Sequence, residues 1–171
     1  MKRRNFLAGG VATAAGTLLP PSLAAAIAGE GGAGKGEIAT LAGRLAGGIH
    51  LPGSESYERL RRIYSPKADA RPALFVHAAS LDDVRRAVDF ARDRVLPLAV
   101  RCGGHSYAGH GLCDGGLVID LSGLRALSID ADAATIEIGG GALVGMIDKA
   151  TAERGRATVL GQCPSVGIGG F

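Results

Sequence analysis

The stretch ALFVHAASLDDVRRAVDFARDRVLPLAVRC, residues 73–102, changes its hydrophobic period twice. ALFVHA (73–78) is an apolar run of strand length. SLDDVRRAVDFARD (80–93) sets Val84, Ala87, Val88 and Ala91 at i, i+3, i+4 and i+7, the stripe of an amphipathic helix, and PLAVRC (97–102) is again a strand. Ser80 stands at the N-cap with Asp83 three residues on, the spacing at which each side chain can take the other's backbone N–H. Strand, helix and strand in this length predict a βαβ crossover with parallel neighbouring strands.

Further along, GGLVIDL (115–121), ALSID (126–130) and TIEIGGG (135–141) are three short strands separated by turn residues. A second helix is expected from Ala142 to Arg154, closing at Gly155, a residue suited to the left-handed conformation of a helix C-cap. ATVLG (157–161) predicts a last strand running into QCPSVGIGGF. Upstream, EIATLAGRLAG (37–47) is a short amphipathic helix, and SYERLRRIY (56–64) continues helically until Pro66 stops it. There is no internal repeat. The fold class is α+β, a small parallel βαβ subdomain beside a mixed sheet.

The chain has 171 residues, enough for one domain with a real core, and 28 of them are glycine without a three-residue period. Its formal charge of +3 is matched by Lys2, Arg3 and Arg4, with no acidic residue before Glu30. The remaining body is neutral and lacks the basic stripe that a nucleic acid partner requires. Residues 1–28 read as an export signal: a basic start, a mildly apolar run, and small-residue cleavage sites at Ala24-Ala25-Ala26 or Ala26-Ile27-Ala28. The run from Leu7 to Leu19 is too short for a stable membrane span. Arg3-Arg4-Asn5-Phe6-Leu7 resembles a twin-arginine signal, which predicts passage of a folded, cofactor-loaded protein through the twin-arginine machinery to the periplasm or exterior; an ordinary secretory signal is the other reading. Residues 29–36 form a glycine-rich linker and 37–69 an N-terminal helical segment.

Two glycine loops each follow a predicted strand, and each carries a nucleophile: His105 in VRCGGHSYAGHG (100–111) and Cys163 in QCPSVGIGGF. Bare backbone at Gly167, Gly169 and Gly170 could approach a phosphate or a flat ring. Such a loop normally introduces another element, so the chain reads as the N-terminal part of a longer protein. A rival reading takes Cys102, His105, His110 and Cys113 as a zinc set in a small secreted domain. Arg101 could instead cap the sheet, Tyr107 pack, and Asp120 order a turn with Ser122. His50, His77 and His110 carry no special signal.

RCGGHS (101–106) together with GQCPSVGIGG (161–170), and GGLVIDLSGL (115–124) and IEIGGGALVGMI (136–147) in order between them, resemble the berberine bridge enzyme-like FAD oxidases of the vanillyl-alcohol oxidase superfamily. The likeness spans residues 70–171 and implies the first half of a PCMH-type FAD-binding domain. It implies FAD held through two bonds, from a neutral nitrogen of His105 to the 8α carbon and from the Cys163 sulfur to C6 of the isoalloxazine. Gly103 and Gly104 would admit the pyrophosphate, with Arg101, Ser106, Val166, Gly167, Gly169 and Gly170 completing the cofactor site. The implied reaction takes hydride from an alcohol, a sugar or an activated C–H of a small molecule, with dioxygen as acceptor. The family's base lies late in the chain, beyond residue 171, and Tyr57, Tyr64 and Tyr107 fall outside its motif. Family members usually have no cysteine at position 102; a Cys102–Cys113 disulfide after export would account for it. A non-catalytic exported remnant is the alternative of a different class.

Overall fold

The computed structural model describes residues 33–65, 69–130, 132 and 134–170; residues 1–28, expected to be an export signal, and 29–32 of the expected linker lie outside them, and Lys35 and Gly36 of that linker belong to the first helix. In chain order the elements are α1 (Lys35–Ala42), β1 (Gly48–His50), α2 (Glu55–Arg61), β2 (Leu74–His77), α3 (Leu81–Asp93), β3 (Leu98–Arg101), β4 (Leu117–Asp120), β5 (Leu127–Asp130), β6 (Thr135–Ile138), α4 (Val144–Ala152) and a 3-10 turn (Ile168–Gly170). The architecture is α+β, as the sequence predicts.

The main sheet has the order β1-β2-β4-β3, with β2, β4 and β3 parallel and β1 antiparallel on the edge. The crossover from β2 through α3 to β3 therefore joins parallel strands that are not neighbours, because β4 lies between them. The reason is in the side chains. Every residue of β4, Leu117, Val118, Ile119 and Asp120, is buried, so this strand needs cover on both faces and partners on both edges. β3 leaves Leu98 and Val100 half exposed and takes the edge.

Alternation splits the core in two. Leu74 and Val76 of β2 join Leu117 and Ile119 of β4 under α1 and α3, where Leu41, Ala87, Phe90 and Ala91 meet them. Phe75 and Val118 point to the other face, against Tyr57 and Leu60 of α2 and Leu112. The inward stripe of α3 is Asp83, Ala87, Phe90 and Ala91; Val88, expected on it, is 37% exposed, because Phe90 fills the space beneath the helix. The segment 37–69 is not purely helical. Its three-residue strand β1, too short for a periodic signal, pairs Ile49 with Val76 and extends the sheet.

Ser80 caps α3 with its Oγ accepting from Asp83 N at 3.1 Å, while the expected return bond is replaced, the Asp83 carboxylate turning to other amides. The Asp83 carboxylate is fully buried and accepts from three backbone amides, those of Ala46, Gly47 and Ala79, at 2.9, 3.0 and 2.9 Å. Burial alone would push its pKa up, but these hydrogen bonds outweigh burial and hold the carboxyl below its ordinary value. It ties the turn before β1 to the start of α3. Asp83→Ala is expected to cost about 3 kcal/mol, because three buried N–H groups lose their acceptor. A pKa depressed on folding stabilises above the unfolded carboxylate value of about 4 and loses that contribution as pH falls. Chemical denaturation from pH 7 down to pH 3 should therefore show the gap between wild type and variant closing; a gap constant with pH would refute this role.

Beyond the sheet, β5 and β6 form an antiparallel ribbon and α4 follows, with Gly155 at φ +62° after its end, as expected. The strand expected at 157–161 is absent. These residues run as coil without strand pairing, with Val159 97% exposed.

Candidate functional site

The parallel strands end in one row, with His77 and Arg101 both in register with Asp120 of the central strand. Asp120 is 1% exposed. It accepts from Ser122 Oγ at 2.6 Å and Arg101 Nη1 at 3.3 Å, and lies 3.0 Å from His77 Nδ1. The Asp120–Ser122 turn is thus present, and His77, unremarked in the sequence, is part of it. Arg101 Nη1 also donates to the Cys102 carbonyl at 3.0 Å, which fixes the chain as it leaves β3, while its buried Nε has no partner.

The second loop is held by a helix end. α4 has no side-chain N-cap; instead its first amides donate to loop carbonyls, Val144 N to Val166 O and Gly145 N to Pro164 O, both at 2.9 Å. Ile168 N donates back to Ala142 O at 2.9 Å. The two glycine loops then press backbone to backbone. A Cβ on Gly103 would stand 2.5 Å from Ser165 O and 2.6 Å from Gly167 N, and one on Gly167 would stand 2.3 Å from Cys102 Sγ and 2.5 Å from Gly103 N. The missing side chains at these positions let the loops meet, a reason the sequence reading, which gave Gly103 to a pyrophosphate, did not contain. Gly104 has φ +72°, and Gly170 has nothing within 4 Å of its would-be Cβ.

Between the loops lies a cleft of about 330 Å³, lined by Arg101, Gly103, Gly104, His105, Ser106, Val166, Gly169 and Gly170 among others. Eight of the ten residues proposed from sequence therefore share one wall. Gly167 is buried behind it, and Cys163 reaches it through Ser165. His105 Nε2 lies 2.8 Å from Ser165 Oγ, and Cys163 Sγ lies 3.2 Å from the same oxygen. The Ser165 hydroxyl, with the backbone amides of Ser165 and Val166, holds the exposed Cys163 thiol below its ordinary pKa. The Tyr64 ring stacks on the His105 ring at 5.3 Å and 16°, and Tyr64 N donates to Gly104 O at 2.8 Å. The site can thus present a thiol inclined to ionise and an imidazole with one nitrogen engaged and the other open.

Sequence reasoning missed Ser165, Tyr64, Ile63 and His110 in this site. Ser165 had a faint signal, a hydroxyl two residues past a cysteine; Tyr64 and Ile63 arrive from a distant segment and had none. The zinc reading fails on direction. Cys102 Sγ faces Ala142 O, Cys113 Sγ faces Pro97 O and Leu117 O, and His105 faces Ser165. Among the described residues no group of three or more His, Cys, Asp or Glu converges on a metal position. All three cysteines are free, so Cys102 and Cys113 are not joined. A larger cleft of about 480 Å³ between the β5–β6 ribbon and α4, lined by Ile129, Ile136, Ile138, Ile147 and Leu160 among others, contains no His or Cys. No described helix is long and apolar enough to cross a membrane.

A family model described as FAD binding domain matches residues 72–171. The chain is 33% identical over 127 residues to (R)-6-hydroxynicotine oxidase of Paenarthrobacter nicotinovorans, covering 74% of this chain and 28% of that protein. Among solved structures it resembles wild-type BBE-like 1 of Physcomitrella patens, with TM-score 0.72 and 30% identity over 77% of this chain and 29% of that one. It also resembles the glucooligosaccharide oxidase of Acremonium strictum, described with a 6-S-cysteinyl, 8α-N1-histidyl FAD, with TM-score 0.71 and 30% identity over 77% of this chain and 28% of that one. The chain thus spans less than a third of the length of these relatives.

Proposed function

This chain belongs to the FAD binding domain family of FAD-linked oxidoreductases, and on that premise we propose that it supplies the N-terminal, flavin-attachment part of an exported oxidase, with FAD tethered to both His105 and Cys163. The observation that carries the reading is the pair of nucleophiles that share one serine hydroxyl, with His105 of the pair lining a cleft. At about 330 Å³ the cleft lies at the small end of ligand pockets, the size for a ring system and not for a whole dinucleotide. The residues fit the group: the unpartnered Arg101 Nε is a buried donor beside the cleft, and Gly170 leaves its backbone open. Bound FAD would supply the hydride acceptor. Arg101 would hold the edge of the ring system or the adjoining phosphate, and His105 and Cys163 would fix its orientation covalently.

The whole protein would take hydride from an alcohol, a sugar or an activated C–H in a small molecule and pass the electrons to dioxygen. No residue described here is assigned as base. Tyr57 is buried and donates its hydroxyl to Pro72 O at 2.7 Å, Tyr64 stacks on His105, and Tyr107 is 80% exposed. Mass spectrometry of tryptic peptides from the full-length protein tests attachment: FAD mass is expected on the peptides containing His105 and Cys163. Its absence from both would end the two-tether reading.

Export through the twin-arginine route is part of the same proposal, since Arg3 and Arg4 precede Asn5-Phe6-Leu7 and the cofactor is made in the cytoplasm. Replacing both arginines with lysine is expected to leave the precursor in the cytoplasm with its flavin loaded. An unchanged exported yield, measured by cell fractionation, would assign the protein to the general secretory route.

A further inference from the structure

His105 and Cys163 meet through one hydroxyl, and a hydroxyl has a single proton to give. Two chains of hydrogen bonds satisfy the observed 2.8 and 3.2 Å contacts. In one, the Cys163 thiol donates to Ser165 and Ser165 donates to His105 Nε2; the imidazole proton then sits on Nδ1, and neither side chain is a nucleophile. In the other, His105 Nε2–H donates to Ser165 Oγ and Ser165 donates to the Cys163 sulfur, a bond that a thiolate accepts more strongly than a thiol. That arrangement leaves the Nδ1 lone pair free and favours the charged sulfur.

We propose that Ser165 is the positioning residue that holds His105 and Cys163 together in the second arrangement, arming Nδ1 of one and the sulfur of the other for flavin attachment. The inference rests on the attachment reading above and deepens it. Four further contacts hold the hydroxyl and the imidazole in place. Val166 N donates to Cys163 O at 3.1 Å and closes the turn that carries Ser165, the first amides of α4 clamp the carbonyls of Pro164 and Val166, and Tyr64 fixes the plane of the His105 ring. The lowered pKa of Cys163, to which the Ser165 hydroxyl contributes most, is consistent with a donor aimed at the sulfur.

The protons balance. Passing from the first arrangement to the second moves the Cys163 proton to Ser165 and the Ser165 proton to Nε2, while the Nδ1 proton leaves to solvent. Each tether then replaces one C–H bond of the ring system by a C–N or C–S bond. One proton and two electrons leave the carbon, and the electrons reduce dioxygen, which with two protons gives hydrogen peroxide. The Nε2 proton of His105 is released through Ser165 once Nδ1 is bonded.

Ser165→Ala, Ser165→Val and Ser165→Thr in the full-length protein separate this role from a merely structural one, since threonine keeps the hydroxyl and valine copies only its shape. In flavin-free protein from a riboflavin-starved host, the pH profile of Cys163 alkylation by iodoacetamide is read by peptide mass. It is expected to move to higher pH in the alanine and valine variants and to return in the threonine variant. Nitrogen-15 NMR should show His105 protonated at Nε2 in wild type and as a tautomer mixture without the hydroxyl. On adding FAD, covalent label on both peptides should appear several-fold more slowly in the alanine and valine variants, with threonine rescuing. Identical alkylation profiles and loading rates in wild type and alanine variant, or equal behaviour of valine and threonine, would overturn the role of Ser165. Flavin on neither wild-type peptide would overturn the attachment reading instead, while the alkylation profile would still decide what Ser165 does to Cys163.

Discussion

The double substitution His105→Ala, Cys163→Ala is expected to convert a flavin that survives acid precipitation into one released completely to the supernatant, with each single variant retaining it through the remaining bond. The two side chains hang from different loops, and Ser165 connects them. Removing one nucleophile leaves the other in reach of the ring. Neither change should unfold the protein, because Cys163 is exposed and His105 half-buried, and truncations at such positions usually fall within about 0.5 kcal/mol. The thermal midpoint of flavin-free protein should therefore hardly move while acid-stable flavin fluorescence is lost. Flavin still bound after acid treatment of the double variant would place the attachment on another residue.

Gly103→Val is expected to damage the site from behind. Its first side-chain carbon would meet backbone on two sides, 2.5 Å from Ser165 O and 2.6 Å from Gly167 N, and backbone cannot rotate away as a side chain can. The loops must separate, at a cost of about 2 kcal/mol or more, and Ser165 moves off His105 as they do. Flavin-free protein should lose stability in urea titration, and covalent loading should fall well below that of wild type. Gly170→Ala is the control, since nothing lies within 4 Å of the added carbon; its flavin-free stability should match wild type. If Gly103 were bare only to admit a phosphate, Gly103→Val would leave flavin-free stability untouched, and that result would refute the loop-contact account.

Local order was legible in residues close in sequence. The β2–α3–β3 run, the Ser80–Asp83 cap, the turn at Asp120–Ser122 and the glycine after α4 each depend on side chains within a few positions of one another, where period and capping chemistry act. The two nucleophile-bearing glycine loops were legible for the same reason, as was their resemblance to a family of flavin oxidases. Tertiary structure decided what depends on neighbours distant in sequence. It inserted β4 between β2 and β3 because a strand apolar on both faces goes to the middle of a sheet, and it turned α3 so that Phe90, not Val88, fills the core. It left 157–161 outside both sheets. Above all it brought Tyr64 onto His105 and Ser165 between His105 and Cys163. Hydrogen bonds reach only about 3 Å, so which hydroxyl serves which imidazole is settled by how the loops pack and leaves no periodic trace in the chain.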